Sequence, residues 1–128
     1  MKKLAMLAVI ALVSALAFGA LSANAAKVKK FPTSVTINYH AGTYGDSFDG
    51  KVKSPKRACR RGRTVQVKLV LPGPDQIIGT DQSDAQGNWE VDAGGFAASG
   101  AYYARAKKKK LRPRRICRKA KSPIVLVP

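Results

Sequence analysis

The chain has 128 residues, with 24 Lys or Arg against 7 Asp or Glu, one His and two Cys, for a formal charge of +17. A single His leaves little material for acid–base catalysis or a metal centre, and the length allows one domain with a modest core. The charge draws polyanions and keeps the chain soluble, and it does not bear on the fold.

Lys2 and Lys3 precede an uncharged apolar stretch over residues 4–21, closed by Ala23-Asn24-Ala25. A basic start, an apolar middle and a small-residue site make a secretory signal peptide, cut after Ala25. The alternative is a retained anchor, since the apolar run approaches the ~20 residues a bilayer requires; its cleavable end favours removal. No Cys follows the run to take a lipid, and the closing SPIVLVP is too short to span. The product is therefore expected to be secreted, or periplasmic behind an outer membrane, and not membrane-spanning after cleavage. Residues 26–33 read as a basic N-terminal tail and residues 34–128 as one domain. Without Lys2 and Lys3, 22 basic residues face 7 acids, a charge of +15.

Cys59 and Cys117 would then reach an oxidising compartment, where paired thiols become a bridge. Closing so long a loop is worth ~4 kcal/mol from chain entropy, comparable to the whole margin of a small domain. A metal site from two Cys and one distant His is a poor fit, and a redox pair would favour C-x-x-C.

Strand signals follow at short intervals. SVTINYH sets Val35, Ile37 and Tyr39 inward against Thr36, Asn38 and His40. In SFDGKVKS, Phe48 and Val52 share the inner face, and Gly50 marks a bulge or a close approach. RTVQVKLVL alternates Val65, Val67, Leu69 and Leu71 against Thr64, Gln66, Lys68 and Val70 until Pro72-Gly73-Pro74-Asp75 stops it. QIIGT, the polar turn DQSDAQGN and NWEVD follow, with Trp89 and Val91 inward. AYYARA puts Tyr102, Ala104 and Ala106 on one face and Tyr103 and Arg105 on the other. Gly100-Ala101-Tyr102 has the form of a tyrosine corner. PIVLV is too apolar to alternate, as suits a doubly covered strand or a short closing edge. About seven strands in this length predict an all-β fold, a single seven-stranded immunoglobulin-like Greek-key β-sandwich with one disulfide.

The segments FDGKVKS, RTVQVKLVL, TDQSDAQGNWEV and GAYYARA, over residues 47–106, resemble the carboxypeptidase regulatory-like and transthyretin-like (prealbumin-like) β-sandwich domains of secreted proteins. The resemblance implies a hairpin in which Thr80-Asp81 ends one strand, Gly87-Asn88 turns and Trp89 enters the core. The chain departs from the pattern at KSPKRACRRGR, where a Cys is added. Such domains serve adhesion, carbohydrate contact or plain support, so no functional residue carries over.

No catalytic, cofactor or metal residues are assigned. His40 reads as a surface side chain, and Asp81, Asp84 and Glu90 as turn formers whose spacing misses a calcium loop. Charge is the informative feature. KVKSPKRACRRGR holds seven cations, and RAKKKKLRPRRICRKAK holds eleven. A Cys59–Cys117 bridge would merge them into one surface. The candidate polyanion-binding residues are Arg57, Arg60, Arg61, Arg63, Lys107, Lys108, Lys109, Lys110, Arg112, Arg114, Arg115 and Arg118. The arginines offer planar forks suited to phosphate or sulfate. The expected role is non-enzymatic contact, as a monomer, with anionic polysaccharide, teichoic acid or lipid head groups. Sequence-specific nucleic acid is not expected, since no recognition helix or aromatic platform appears. The alternative is a structural or protein-binding accessory module whose charge only gives solubility.

Overall fold

Alternating apolar and polar side chains decide which face of a strand turns inward. The computed structural model describes residues 27–128, so the signal-peptide reading of residues 1–25 lies outside the described residues. The strands are β1 (Lys29–Phe31), β2 (Ser34–Val35), β3 (Asn38–His40), β4 (Ser47–Lys53), β5 (Thr64–Leu69) and β6 (Gln76–Gln82). They continue with β7 (Asn88–Asp92), β8 (Gly100–Ala106), β9 (Lys109–Arg112), β10 (Arg115–Cys117), β11 (Ala120–Lys121) and β12 (Val125–Val127), and one 3₁₀ turn spans Arg57–Cys59. Among the described residues no helix is long and apolar enough to cross a membrane.

β5 pairs antiparallel with β6 on one side and β8 on the other, while β11 and β12 succeed one another on the far edge of β8. The second sheet is built on β4, with β2 and β3 along one edge and β7 along the other. The two sheets close on one core, Phe48, Val52, Trp89 and Val91 facing Val65, Val67, Tyr102, Ala104 and Ala106. Burying each large apolar side chain contributes roughly 1.5–3 kcal/mol. The result is an all-β, sandwich-like fold with one disulfide. Gly50 is a close approach, since a Cβ there would lie 2.0 Å from the Thr36 carbonyl oxygen. The Tyr102 hydroxyl donates to the Ala98 carbonyl at 2.6 Å, tying the start of β8 to its preceding loop.

Several expectations need correction. β5 ends at Leu69, and Leu71, expected inward, is exposed ahead of the two prolines. β6 continues through Gln82, so Asp81 is a strand residue, accepting from the Glu90 amide at 2.9 Å. Tyr103 lies on the face opposite Tyr102, as expected, yet is covered there: the Lys121 ammonium sits 4.3 Å above its ring, and its hydroxyl donates to Asp75. β12 alternates after all, with Val127 buried and Leu126 exposed, as a closing edge does. The largest difference concerns residues 105–121 and the basic tail. Beyond AYYARA no strand was marked before PIVLV, yet this stretch contains β9, β10 and β11, and tail residues Lys29–Phe31 add to β9 and β10 in a separate three-stranded sheet ordered β1-β10-β9.

Asp46 ties the end of the sandwich remote from the disulfide. Its carboxylate accepts from the Ala97 amide at 2.8 Å and the Gly42 amide at 3.3 Å. The Ala97 amide above all holds this carboxyl below the ordinary carboxylate range; desolvation opposes the shift, and the Tyr39 hydroxyl and Gly42 amide add to it. A depressed folded pKa gives stability that is present above the unfolded value and lost as pH falls through the folded one. Asp46→Asn should therefore melt well below wild type at neutral pH, with the gap shrinking as pH falls from about 6 to about 2. A thermal-melt series in which the gap stays constant would contradict this account of Asp46.

Candidate polyanion-binding face

Cys59 lies in the 3₁₀ turn and Cys117 in β10, and their disulfide brings the two Cα atoms to 5.4 Å. The bridge fixes β10 against the turn, and pairing then places its neighbours. Cys117 stands opposite Phe31 on β1 and Lys109 on β9, so these three share the face turned to the 3₁₀ turn. The Lys109 ammonium donates to the Arg61 carbonyl at 2.8 Å and the Ala58 carbonyl at 3.2 Å. Desolvation, with Arg63 and Arg61 nearby, pushes its pKa down. The Phe31 ring takes the Lys29 and Lys56 ammonium groups, each 5.5 Å from its centroid. Lys30, Lys110 and Ile116 share the opposite face.

Arg63 organises the same region from beneath. Its residue is 0% exposed, a rare place for a cation without a counter-ion. Acceptors replace the lost water: Nη1 donates to the Cys59 carbonyl at 2.9 Å and Thr33 Oγ1 at 3.1 Å. Nη2 donates to the Lys107 carbonyl at 2.7 Å and the Arg118 carbonyl at 2.8 Å. Burial lowers its pKa, but a guanidinium stays charged in proteins. The Nη2 pair matters most for the surface, because Lys107 belongs to the link from β8 to β9 and Arg118 to the link from β10 to β11. One buried fork thus clamps both links at their carbonyls and leaves their side chains facing water.

Between these links, the β1-β10-β9 sheet and the outward face of the first large sheet lies a cleft of about 950 Å³. Lys30, Arg105, Lys107, Lys108, Arg118 and Lys119 line it together with Gln66, Ile77 and Ile116, and no acid does. Lys51, Arg57, Arg60 and Arg61 surround a second hollow of about 480 Å³, also without an acid. At the β9–β10 tip, Arg114 has φ 71°, a left-handed conformation that favours glycine. The tip therefore carries a guanidinium at some cost in backbone strain. Lys110, Arg112 and Arg114 flank a third hollow there.

The acids lie elsewhere. Asp49, Asp81, Asp84 and Glu90 line a polar groove between the second sheet and the end of β6, where Lys51, which also borders the second hollow, is the lone cation. Among the described residues the one side-chain ion pair is His40–Asp49 at 3.0 Å, on exposed strand surface. The cations of the basic face are thus not neutralised by carboxylates, and those within a Debye length of about 8 Å act on an approaching anion together.

No protein-family model, curated protein or solved structure matches this chain.

The disulfide expected between Cys59 and Cys117 is present and links the two basic segments, while each hollow draws its cations from one of the two segments rather than from both. Of the sequence-derived binding residues, Lys107, Lys108 and Arg118 meet in the large cleft, and Arg57, Arg60 and Arg61 in the second hollow. Lys110, Arg112 and Arg114 belong to the tip, and Arg115 is exposed on β10. Two assignments are corrected: Arg63 is buried, and Lys109 turns inward to cap carbonyls, so neither presents a free charge to a ligand. Lys30, Arg105 and Lys119 were missed. Arg105 was legible, since alternation in AYYARA turns it outward; Lys30 depended on β1 pairing with β10, which no local pattern announces.

Proposed function

We propose that this is a small secreted, non-enzymatic protein whose basic face holds anionic cell-surface polymers or membranes. The observation that carries the reading is a pair of acid-free hollows, one lined by Lys30 and cations of residues 105–119 and the other by Lys51, Arg57, Arg60 and Arg61, on segments that the disulfide and Arg63 tether to each other. Pre-ordering of the cationic links lowers the entropy cost of engaging a polyanion. Localisation rests on the N-terminal pattern and on the disulfide, which forms readily outside the cytosol. The exposed His40–Asp49 pair, open to water on a strand surface, is consistent with a non-catalytic role.

For the fold we propose an immunoglobulin-like Greek key akin to the carboxypeptidase regulatory-like domains. Counting β2 with β3 and β11 with β12 leaves seven strands outside the β1-β10-β9 sheet, which supports that reading, as does the Tyr102 corner. The accessory-module alternative differs in its response to charge. Replacing Arg112, Arg114, Arg115 and Arg118 with Gln should weaken binding to immobilised heparin or polyphosphate at least tenfold at low salt, without loss of folding. Unchanged retention would remove the basic-face reading and leave a module whose charge serves solubility.

A further inference from the structure

The large cleft is not uniformly polar. Ile77, on the outward face of β6, is 52% exposed. It lines the same cleft as Ile116 of the small sheet and six Lys or Arg side chains. An extended sulfated or phosphorylated polymer would use the cations and gain nothing from these isoleucines. An apolar chain bearing one anionic head would use both.

We propose that this cleft binds an anionic lipid, its phosphate held by Arg105, Arg118 and the neighbouring lysines and its acyl chain lying along Ile77 and Ile116. The proposal rests on the anion-binding reading above and names its ligand class. Arg105 rises from β8 beside Gln66 of β5, its direct cross-strand partner. Lys107 and Arg118 stand on the two links whose carbonyls Arg63 clamps. The head-group side of the cleft is thus built on a sheet strand and two tethered links. A volume of about 950 Å³ accommodates a head group with a substantial part of one chain. Charge selects the head and orients it; the apolar wall rewards chain length.

The test uses the mature chain, residues 26–128, with an alkyl phosphate series from ethyl to decyl, each below its micelle concentration, titrated by calorimetry beside long-chain polyphosphate. Near-ultraviolet circular dichroism at saturation checks that the fold survives. Affinity should rise roughly threefold with each added pair of methylenes, less than full burial would give because the cleft is open. Ile77→Thr should flatten that dependence, and Arg105→Gln should weaken every member of the series several-fold. Decyl maltoside, with the same chain and no charge, should not bind. Polyphosphate binding with no dependence on alkyl length would overturn the lipid proposal and leave the anion-binding reading standing. Binding of decyl maltoside as tightly as decyl phosphate would also overturn it. Failure of both polyphosphate and alkyl phosphates would overturn the two together.

Discussion

Arg63→Met should destabilise the protein by about 3–5 kcal/mol, because it strands acceptors that a buried guanidinium now satisfies. The carbonyls of Cys59, Lys107 and Arg118 and the hydroxyl of Thr33 lose their donor at once. Methionine fills much of the volume, so the loss reports hydrogen bonding rather than a cavity. In a domain of this size each kcal/mol moves the melting midpoint by about 4–8 °C, and a fall of at least about 15 °C is expected. Arg63→Lys should fall between, since an ammonium cannot span four acceptors as a planar fork does. A second readout separates positioning from bulk stability. At temperatures where both proteins remain folded, Arg63→Lys should still bind polyphosphate more weakly, because the Lys107 and Arg118 links lose their clamp. Melting of Arg63→Met within a few degrees of wild type would show that the buried guanidinium is energetically neutral.

Removing the disulfide should cost a similar amount by a different route. Cys59 and Cys117 are 58 residues apart in sequence, and freeing so long a loop returns about 4 kcal/mol of chain entropy to the unfolded state. Small domains hold only about 5–15 kcal/mol in total, so reduction should take a large share of the margin. The damage should also be local before it is global. The β1-β10-β9 sheet makes no ladder with the two large sheets and is attached through the Cys117 disulfide, the Lys109 hydrogen bonds and the flanking links that Arg63 clamps. Hydrogen exchange of the reduced protein should accelerate first at residues 109–117, with β5 and β8 the last to open. Uniform acceleration across all strands would show instead that the small sheet is no more dependent on the bridge than the core.

The division between what was legible in sequence and what was not follows from the range of the interactions. Val65, Val67, Phe48, Trp89 and Tyr102 announce themselves because a strand with one buried face must alternate, and each is buried where alternation puts it. The bridge was legible because the chain has two Cys, each the other's one possible partner, and the N-terminal pattern led to the expectation of an oxidising compartment. Leu71 misled because alternation continues past Leu69 while the following prolines end the ladder. The basic segments hid more. Lys runs look alike whether solvated or turned inward, and only tertiary contacts send Lys109 to the Ala58 and Arg61 carbonyls and Arg63 beneath the links. The β1–β10 pair is parallel and joins residues 29–31 to residues 115–117, beyond the reach of any local pattern. The cleft is a product of that pairing, so the meeting of its two isoleucines and the place of Lys30 emerged only with the fold.

The most direct measurement is the affinity of the mature chain, residues 26–128, for polyphosphate as a function of salt. If the acid-free face engages the polymer through about six cations, log K should fall linearly with log salt with a slope near −4, about −0.7 for each phosphate neutralised on a flexible strand. The slope should shrink by about 0.7 for each contacting Arg replaced by Gln. A slope near zero, or one that the arginine replacements leave unchanged, would contradict a polyanion-binding role for this face.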